Sequence, residues 1–349
     1  MSAVTDMSRP PRATRSLVRF AWGVLAYNLL VIAWGAFVRA SGSGAGCGAH
    51  WPLCNGQVVP HAKSVATVIE ATHRLTSGIA VIAVVVLMVW TLRSMPRGHR
   101  ARRASIASTV FIFGEALVGA GLVLFELVAH DASMKRGLSM ILHLGNTFLL
   151  LGALTLTAWT LTHEKAAAAE AEAEAKAPPT LRILIAAALG SVLVLGSSGA
   201  IAALGDTLFP ATSLKEGMAQ DLSPLAHVFL RLRVLHPVIA LATGLLVFIT
   251  ASGVRMMRTA PRARFLSRVA TLVFATQFAA GLLNMTLLAP AWMQIVHLLL
   301  ADATWIALVL MGWESLYARA IDQRPIMSRN GPAPMSDVPP STSNVDPVM

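Results

Sequence analysis

Residues 68–92, VIEATHRLTSGIAVIAVVVLMVWTL, decide the fold. No charge interrupts the run from Leu75 to Leu92. A bilayer crossing takes about 20 apolar residues in helical conformation. The ionisable residues Glu70, His73 and Arg74 crowd one end of this stretch, and Arg93 closes the other. The same reading extends outward to seven further apolar runs, at 17–38, 105–127, 138–162, 181–204, 230–254, 266–288 and 291–316. In all, 55% of the 349 residues are hydrophobic and only 13% are charged, which excludes an ordinary soluble domain. The expected fold is an all-α polytopic membrane protein. Its eight transmembrane helices form two pseudo-symmetric four-helix bundles, with both termini inside.

Orientation follows from arginine. Arg9, Arg12 and Arg15 precede the first run; Arg93, Arg97, Arg100, Arg102 and Arg103 lie in 93–105; Arg255, Arg258, Arg262 and Arg264 lie in 255–265. Basic loops stay cytoplasmic, so the net charge of +11 is a topology signal and not a nucleic-acid one. The loops 39–67, 128–137, 205–229 and 289–290 then face outward. Residues 1–16 read as a cytoplasmic tail, 17–162 as the first bundle and 181–317 as the second. Between them, the Ala/Glu/Lys-rich stretch 163–180 reads as a cytoplasmic linker, and 318–349 as a disordered tail. The first run reads as a retained helix and not a cleaved signal. The expected location is the bacterial plasma membrane, as a multi-pass protein.

The halves read as a parallel internal repeat. Ile141-Leu142-His143-Leu144 matches Ile295-Val296-His297-Leu298; Glu115 four before Gly119 matches Gln277 four before Gly281. Ser41-Gly42-Ser43-Gly44 has its counterpart in Gly196-Ser197-Ser198-Gly199. His73, His143, His236 and His297 each open an even-numbered span from the same side of the membrane. Histidine is costly in a bilayer, and paired inward histidines in helical bundles suit bis-histidine heme iron. His50, His61, His99, His130, His163 and His227 read as ordinary loop residues.

Other polar residues cluster near these histidines. Glu70 and His73 are three apart and share a helix face, so a carboxylate stands beside a candidate ligand. Arg74, Arg231 and Arg233 lie at the depth where heme propionates would pair with guanidinium groups. Cys47 and Cys54 share one outer loop and read as a disulfide, structural or redox-active. Deeper in the spans, Glu115 reads as either a proton relay or quinone contact or an interhelical hydrogen bond, and Asp302 stays open between such roles. Gln277 reads as an interhelical hydrogen bond.

Together, the eight spans, the paired histidines, Glu70-Ala71-Thr72-His73-Arg74 and Cys47-Gly48-Ala49-His50-Trp51-Pro52-Leu53-Cys54 resemble the heme A synthase family, over about residues 17–317. The resemblance implies oxidation of the C8 methyl of heme O to a formyl group by successive hydroxylations, giving heme A for heme–copper cytochrome oxidases. It implies a resident heme b on His236 and His297 and a substrate site, for heme O and product heme A, on His73 and His143. It also implies an essential carboxylate at Glu70 and a cysteine pair at Cys47 and Cys54. Expected partners are a heme O synthase, an electron donor (a quinol or a thiol-redox protein) and further copies of the chain. The chain departs from its own symmetry at His236-Pro237, where the first half has His73-Arg74, and in lacking a second cysteine pair.

Two rival readings remain. A di-heme electron-transfer cytochrome b explains the histidines but neither Glu70 nor the cysteine loop. A repeat-built transporter predicts polar groups near the bilayer centre, whereas these histidines lie near one surface.

Overall fold

The computed structural model describes residues 13–58, 61, 64–163 and 177–317. Residues 1–12 of the expected N-terminal tail, 164–176 of the expected linker and the whole of 318–349 lie outside the described residues. The chain forms α1 (Arg15–Ala40), α2 (Val65–Ser94), α3 (Arg100–Leu124), α4 (Met134–Thr162), α5 (Pro179–Leu208), α6 (Leu214–Leu222), α7 (Val228–Arg233), α8 (Leu235–Met257), α9 (Pro261–Thr286) and α10 (Ala291–Tyr317). Eight helical segments are long and apolar enough to span a membrane, α7 and α8 counting as one. Among the described residues there is no strand beyond an isolated bridge between Cys54 and Gln57.

Most helices extend past their apolar runs because polar caps, not hydropathy, end them. Thr14, Ser64 and Ser133 accept from backbone N–H groups three residues on, closing the starts of α1, α2 and α4. Pro179 and Pro261 open α5 and α9, where a missing N–H costs nothing. The break between α7 and α8 falls at Val234. Pro237 is its cause: without an N–H it cannot bond the Arg233 carbonyl one turn back.

In the first half α1 packs on α2, α2 on α3 and α3 on α4; in the second α5 packs on α8, α8 on α9 and α9 on α10. The halves meet where α1 and α4 contact α5 and α10. Phe148 and Trp305 stack across this seam with ring centroids 5.3 Å apart, and the indole N–H donates to the Phe148 carbonyl. Gly152 and Gly196 permit the approach: a Cβ on Gly196 would stand 2.7 Å from the Phe148 ring. Small residues at helix crossings are how membrane helices pack closely. At one end of the seam Arg39 of α1 reaches the other half. It donates to the Ala203 carbonyl at 2.9 Å, to Thr207 Oγ1 at 2.8 Å and to Gln294 Oε1 at 2.9 Å. Away from the seam, Ile79, Ile82 and Val86 of α2 and Leu241, Leu245 and Phe248 of α8 stay exposed. In a membrane those side chains face lipid.

Candidate functional site: two histidine pairs and a disulfide-braced loop

All four singled-out histidines stand near the same end of the bundle, and three of them lie against a groove cut by glycine. A Cβ on Gly35 of α1 would lie 2.9 Å from His73 Cε1. One on Gly199 of α5 would lie 3.1 Å from His236 Cε1, and one on Gly281 of α9 2.9 Å from His297 Cε1. Gly281→Ala therefore displaces the His297 ring. The expected result is a loss of about tenfold or more in affinity for whatever the second-half pair ligates, read by heme titration against the parent protein.

The rings are also held by polar neighbours. His143 Nδ1 of α4 lies 2.8 Å from Glu115 Oε2 of α3, off the line of an aligned hydrogen bond. Asn146 Nδ2 and Thr147 Oγ1 donate to the two oxygens of the same carboxylate, Thr147 at 3.1 Å. His236 Nδ1 lies 2.8 Å from Ser198 Oγ of α5. His297 Nε2 lies 3.3 Å from Gln277 Nε2 of α9, while His297 Nδ1 and His73 Nδ1 are buried without a hydrogen-bond partner. His143 and His236 thus each have Nδ1 facing a side-chain oxygen from an odd-numbered span. Fixing one imidazole nitrogen while leaving the other is how proteins present histidine to a metal.

The second-half rings pass a direct fit test. His236 and His297 have ring centroids 6.5 Å apart and planes at 88°. Two imidazoles sharing one iron from opposite sides stand with centres about 6 Å apart, given metal–nitrogen bonds of roughly 2 Å. The spacing of His236 and His297 fits a bis-histidine heme.

Glu115 and Gln277 answer to each other: each sits on the third span of its half and meets the histidine of the fourth. Glu115 acts as an interhelical hydrogen-bond hub, the second of the two readings open for it. Glu115→Ala strips the partner from His143, Asn146 and Thr147 at once. It is expected to weaken first-half heme binding about 10- to 100-fold, whereas Glu115→Gln, which restores the second-half pattern, retains most of it. Spectral titration with heme distinguishes the two.

The cysteine loop sits on the start of α2. Cys47 and Cys54 form a disulfide, with Cα atoms 4.5 Å apart. Gly46 lies so close to α2 that a Cβ would stand 2.4 Å from the Ala66 carbonyl carbon, and Thr67 Oγ1 donates to the Gly46 carbonyl at 2.8 Å. Glu70, 3% exposed, joins loop to helix: its Oε2 accepts from the Cys47 N–H at 2.8 Å. Its Oε1 accepts from Arg74 Nε at 3.1 Å and from Arg74 Nη2. Arg74 Nη1 in turn donates to the Leu53 carbonyl at 2.6 Å and to that of His50, both inside the disulfide ring. Glu70, Arg74 and the loop are therefore one unit, within one helical turn of His73.

The other arginines have protein partners as well. Arg231 donates to the Pro224 carbonyl. Arg233 binds Asp206 Oδ1 at 2.7 Å and Asp221 through Nε at 3.1 Å, bracing the second-half loop that carries no disulfide. Asp302 is fully buried in α10, and both its oxygens lack a hydrogen-bond partner. Sequence reasoning did not single out Ser198 or Arg39 as functional. The Gly-Ser-Ser-Gly pattern around Ser198 was visible without indicating a contact to His236. An arginine in the last turn of an apolar span was the available signal for Arg39.

Comparison with known proteins agrees with this architecture. Residues 18–309 match the sequence profile of COX15-CtaA, described as cytochrome oxidase assembly protein. The chain is 45% identical over 300 residues to a protein from Thermus thermophilus named protoheme IX farnesyltransferase, covering 86% of this chain and 48% of that one. It is 36% identical over 111 residues to the heme A synthase of Alkalihalophilus pseudofirmus, covering 32% of this chain and 37% of that one. Over 127 residues it is 38% identical to the heme A synthase of Geobacillus kaustophilus, covering 36% and 40%. The chain thus spans about half the length of the Thermus relatives it matches. With eight apolar spans and bacterial relatives, it is a multi-pass protein of the plasma membrane. A profile match that runs from the first span into the last establishes that the chain belongs to the COX15-CtaA family of cytochrome oxidase assembly proteins.

Proposed function

We propose that this chain is a heme A synthase, an oxidoreductase that takes heme O to heme A by oxidising the C8 methyl to a formyl group through successive hydroxylations. The observation that carries the reading is an asymmetry between two similar sites. Both halves present a histidine pair, but only in the first is a buried carboxylate, Glu70, bonded to a disulfide-braced loop. In this reading His236 and His297 hold a resident heme b, with Ser198 orienting the His236 ring. His73 and His143 bind the substrate heme, with Glu115 orienting His143. Bound heme iron supplies electron transfer in the second half and the oxidation of the ring methyl in the first.

The chain's own residues bind, orient and polarise. Glu70 holds a fixed negative charge beside the substrate histidine, where it favours positive charge developing on the substrate. The cysteine loop covers that end of α2 and limits water. Arg74, Arg231 and Arg233 stay available to propionates only by sharing their present acceptors. The two four-helix units are read as a pseudo-symmetric pair. Both termini are read as cytoplasmic, from the arginine-rich loops, which puts the histidine pairs and the cysteine loop on the outer side.

The Thermus relative's name suggests a second reading, farnesyl transfer to protoheme. The match covers only 48% of that relative's length, and other relatives are named heme A synthase, so oxidation is favoured. The name is more useful as a pointer to a partner: a heme O synthase that hands on its product. A quinol or thiol-redox donor and self-association complete the proposed partners.

The test is extraction and mass analysis of hemes from cells making this chain together with a heme O synthase. Heme A or its hydroxylated intermediate should appear only when this chain is present. Heme b and unchanged heme O alone, from well-folded protein, would transfer the proposal to a di-heme electron-transfer cytochrome b.

A further inference from the structure

The short helix α6 lies in the connection between two spans, after α5 ends at Leu208 and before α7 begins at Val228. It is locally well specified. Ser213 accepts from the Glu216 N–H at 3.2 Å, and Glu216 reaches back to the Thr212 N–H at 2.8 Å, a reciprocal cap of the Ser-x-x-Glu kind. Those two Thr212 donors, hydroxyl and then N–H, hold the Glu216 carboxyl below the usual carboxylate range.

What sets α6 apart is which side it turns outward. A helix on a water-soluble surface packs its apolar stripe inward and leaves its polar side to solvent. Here Leu214, Met218 and Leu222, spaced four apart on one face, are 48%, 64% and 73% exposed. Leu225, just past the helix, is 94% exposed. The half-buried residues are Glu216, Gly217, Gln220 and Asp221. The inward side is held by a polar contact, Asp221 with Arg233, and no residue of the helix is buried. The amphipathicity is inverted relative to water.

We propose that α6 is an interfacial helix whose face of Leu214, Met218 and Leu222 lies in the lipid leaflet on the histidine side of the membrane. The placement supports a lipid occupant over a protein one. Both flanking segments are membrane spans, so the connection holds α6 at headgroup depth. Asp221 and Arg233 tie it to the start of the next span, fixing which side it turns to the lipid. Lys215 stands beside the apolar stripe and is exposed, so its stem can lie along acyl chains while its ammonium meets anionic headgroups. This proposal rests on the spans alone and not on the heme reading.

The test uses the full chain in vesicles of phosphatidylethanolamine and phosphatidylglycerol, with a nitroxide label at Leu214→Cys, Met218→Cys or Leu222→Cys in turn. The native cysteines are paired in a disulfide and do not take the label. At all three sites collision with oxygen should be high and collision with a water-soluble nickel complex low, matching a label at lipid-facing Leu245. Nickel access equal to that of a loop label would overturn the proposal in favour of a water-exposed helix. Low access to both agents with dipolar broadening would overturn it in favour of a second copy. Three independent sites keep the answer readable if one label disturbs the helix.

Discussion

Glu70→Ala is expected to lower formation of formyl-bearing heme by about 100- to 1,000-fold, the usual effect of removing one preorganised electrostatic group from an active site. The reason lies in its contacts. The carboxylate accepts from both Arg74 and the Cys47 N–H, so its removal leaves a largely buried guanidinium without a counter-charge and a loop N–H without an acceptor. Breaking a buried pair from one side costs about 3–5 kcal/mol, so a lower thermal midpoint should accompany the loss. Glu70→Gln separates the two effects. The amide still offers an oxygen to the Cys47 N–H and keeps the loop seated, but it carries no charge. Heme-product analysis of both variants, beside their melting temperatures, is the measurement. Full activity in Glu70→Gln would mean that the charge has no part in the reaction and that Glu70 only holds the loop.

The second large effect is expected at His236. Without its imidazole the second-half pair has a single ligand, and Ser198 loses the ring it orients. His236→Ala should cut resident heme b by about tenfold or more, while His73→Ala leaves that heme in place. Absorbance of the purified proteins, with pyridine extraction for total heme, decides it. Loss in His73→Ala with retention in His236→Ala would reverse the proposed roles of the two halves.

Hydropathy and arginine placement are local signals, which is why the spans were legible from the chain alone. Eight apolar runs became eight spans, with several starts set by the capping residues Thr14, Ser64 and Ser133. The disulfide needed only two cysteines in one loop. What stayed hidden depended on contacts between distant segments. Glu115 looked like an isolated acid in an apolar helix, and only packing of α3 on α4 brings it to His143. Arg74 was read toward a propionate, yet its spacing of four from Glu70 already carried the signal for the ion pair found. Helix α6 was missed because nine residues in a polar loop lack hydropathy contrast, and its pattern has meaning only beside a membrane.

The Arg39 clamp constrains how such a chain can change over time. One guanidinium in the first half is satisfied by a carbonyl, a hydroxyl and an amide that all belong to the second. Two halves without such a tie could each change separately. Here a substitution at Thr207 or Gln294 is felt first by a residue 168 or 255 positions earlier. Around this clamp each half therefore tolerates only those replacements that the other's polar groups can still satisfy.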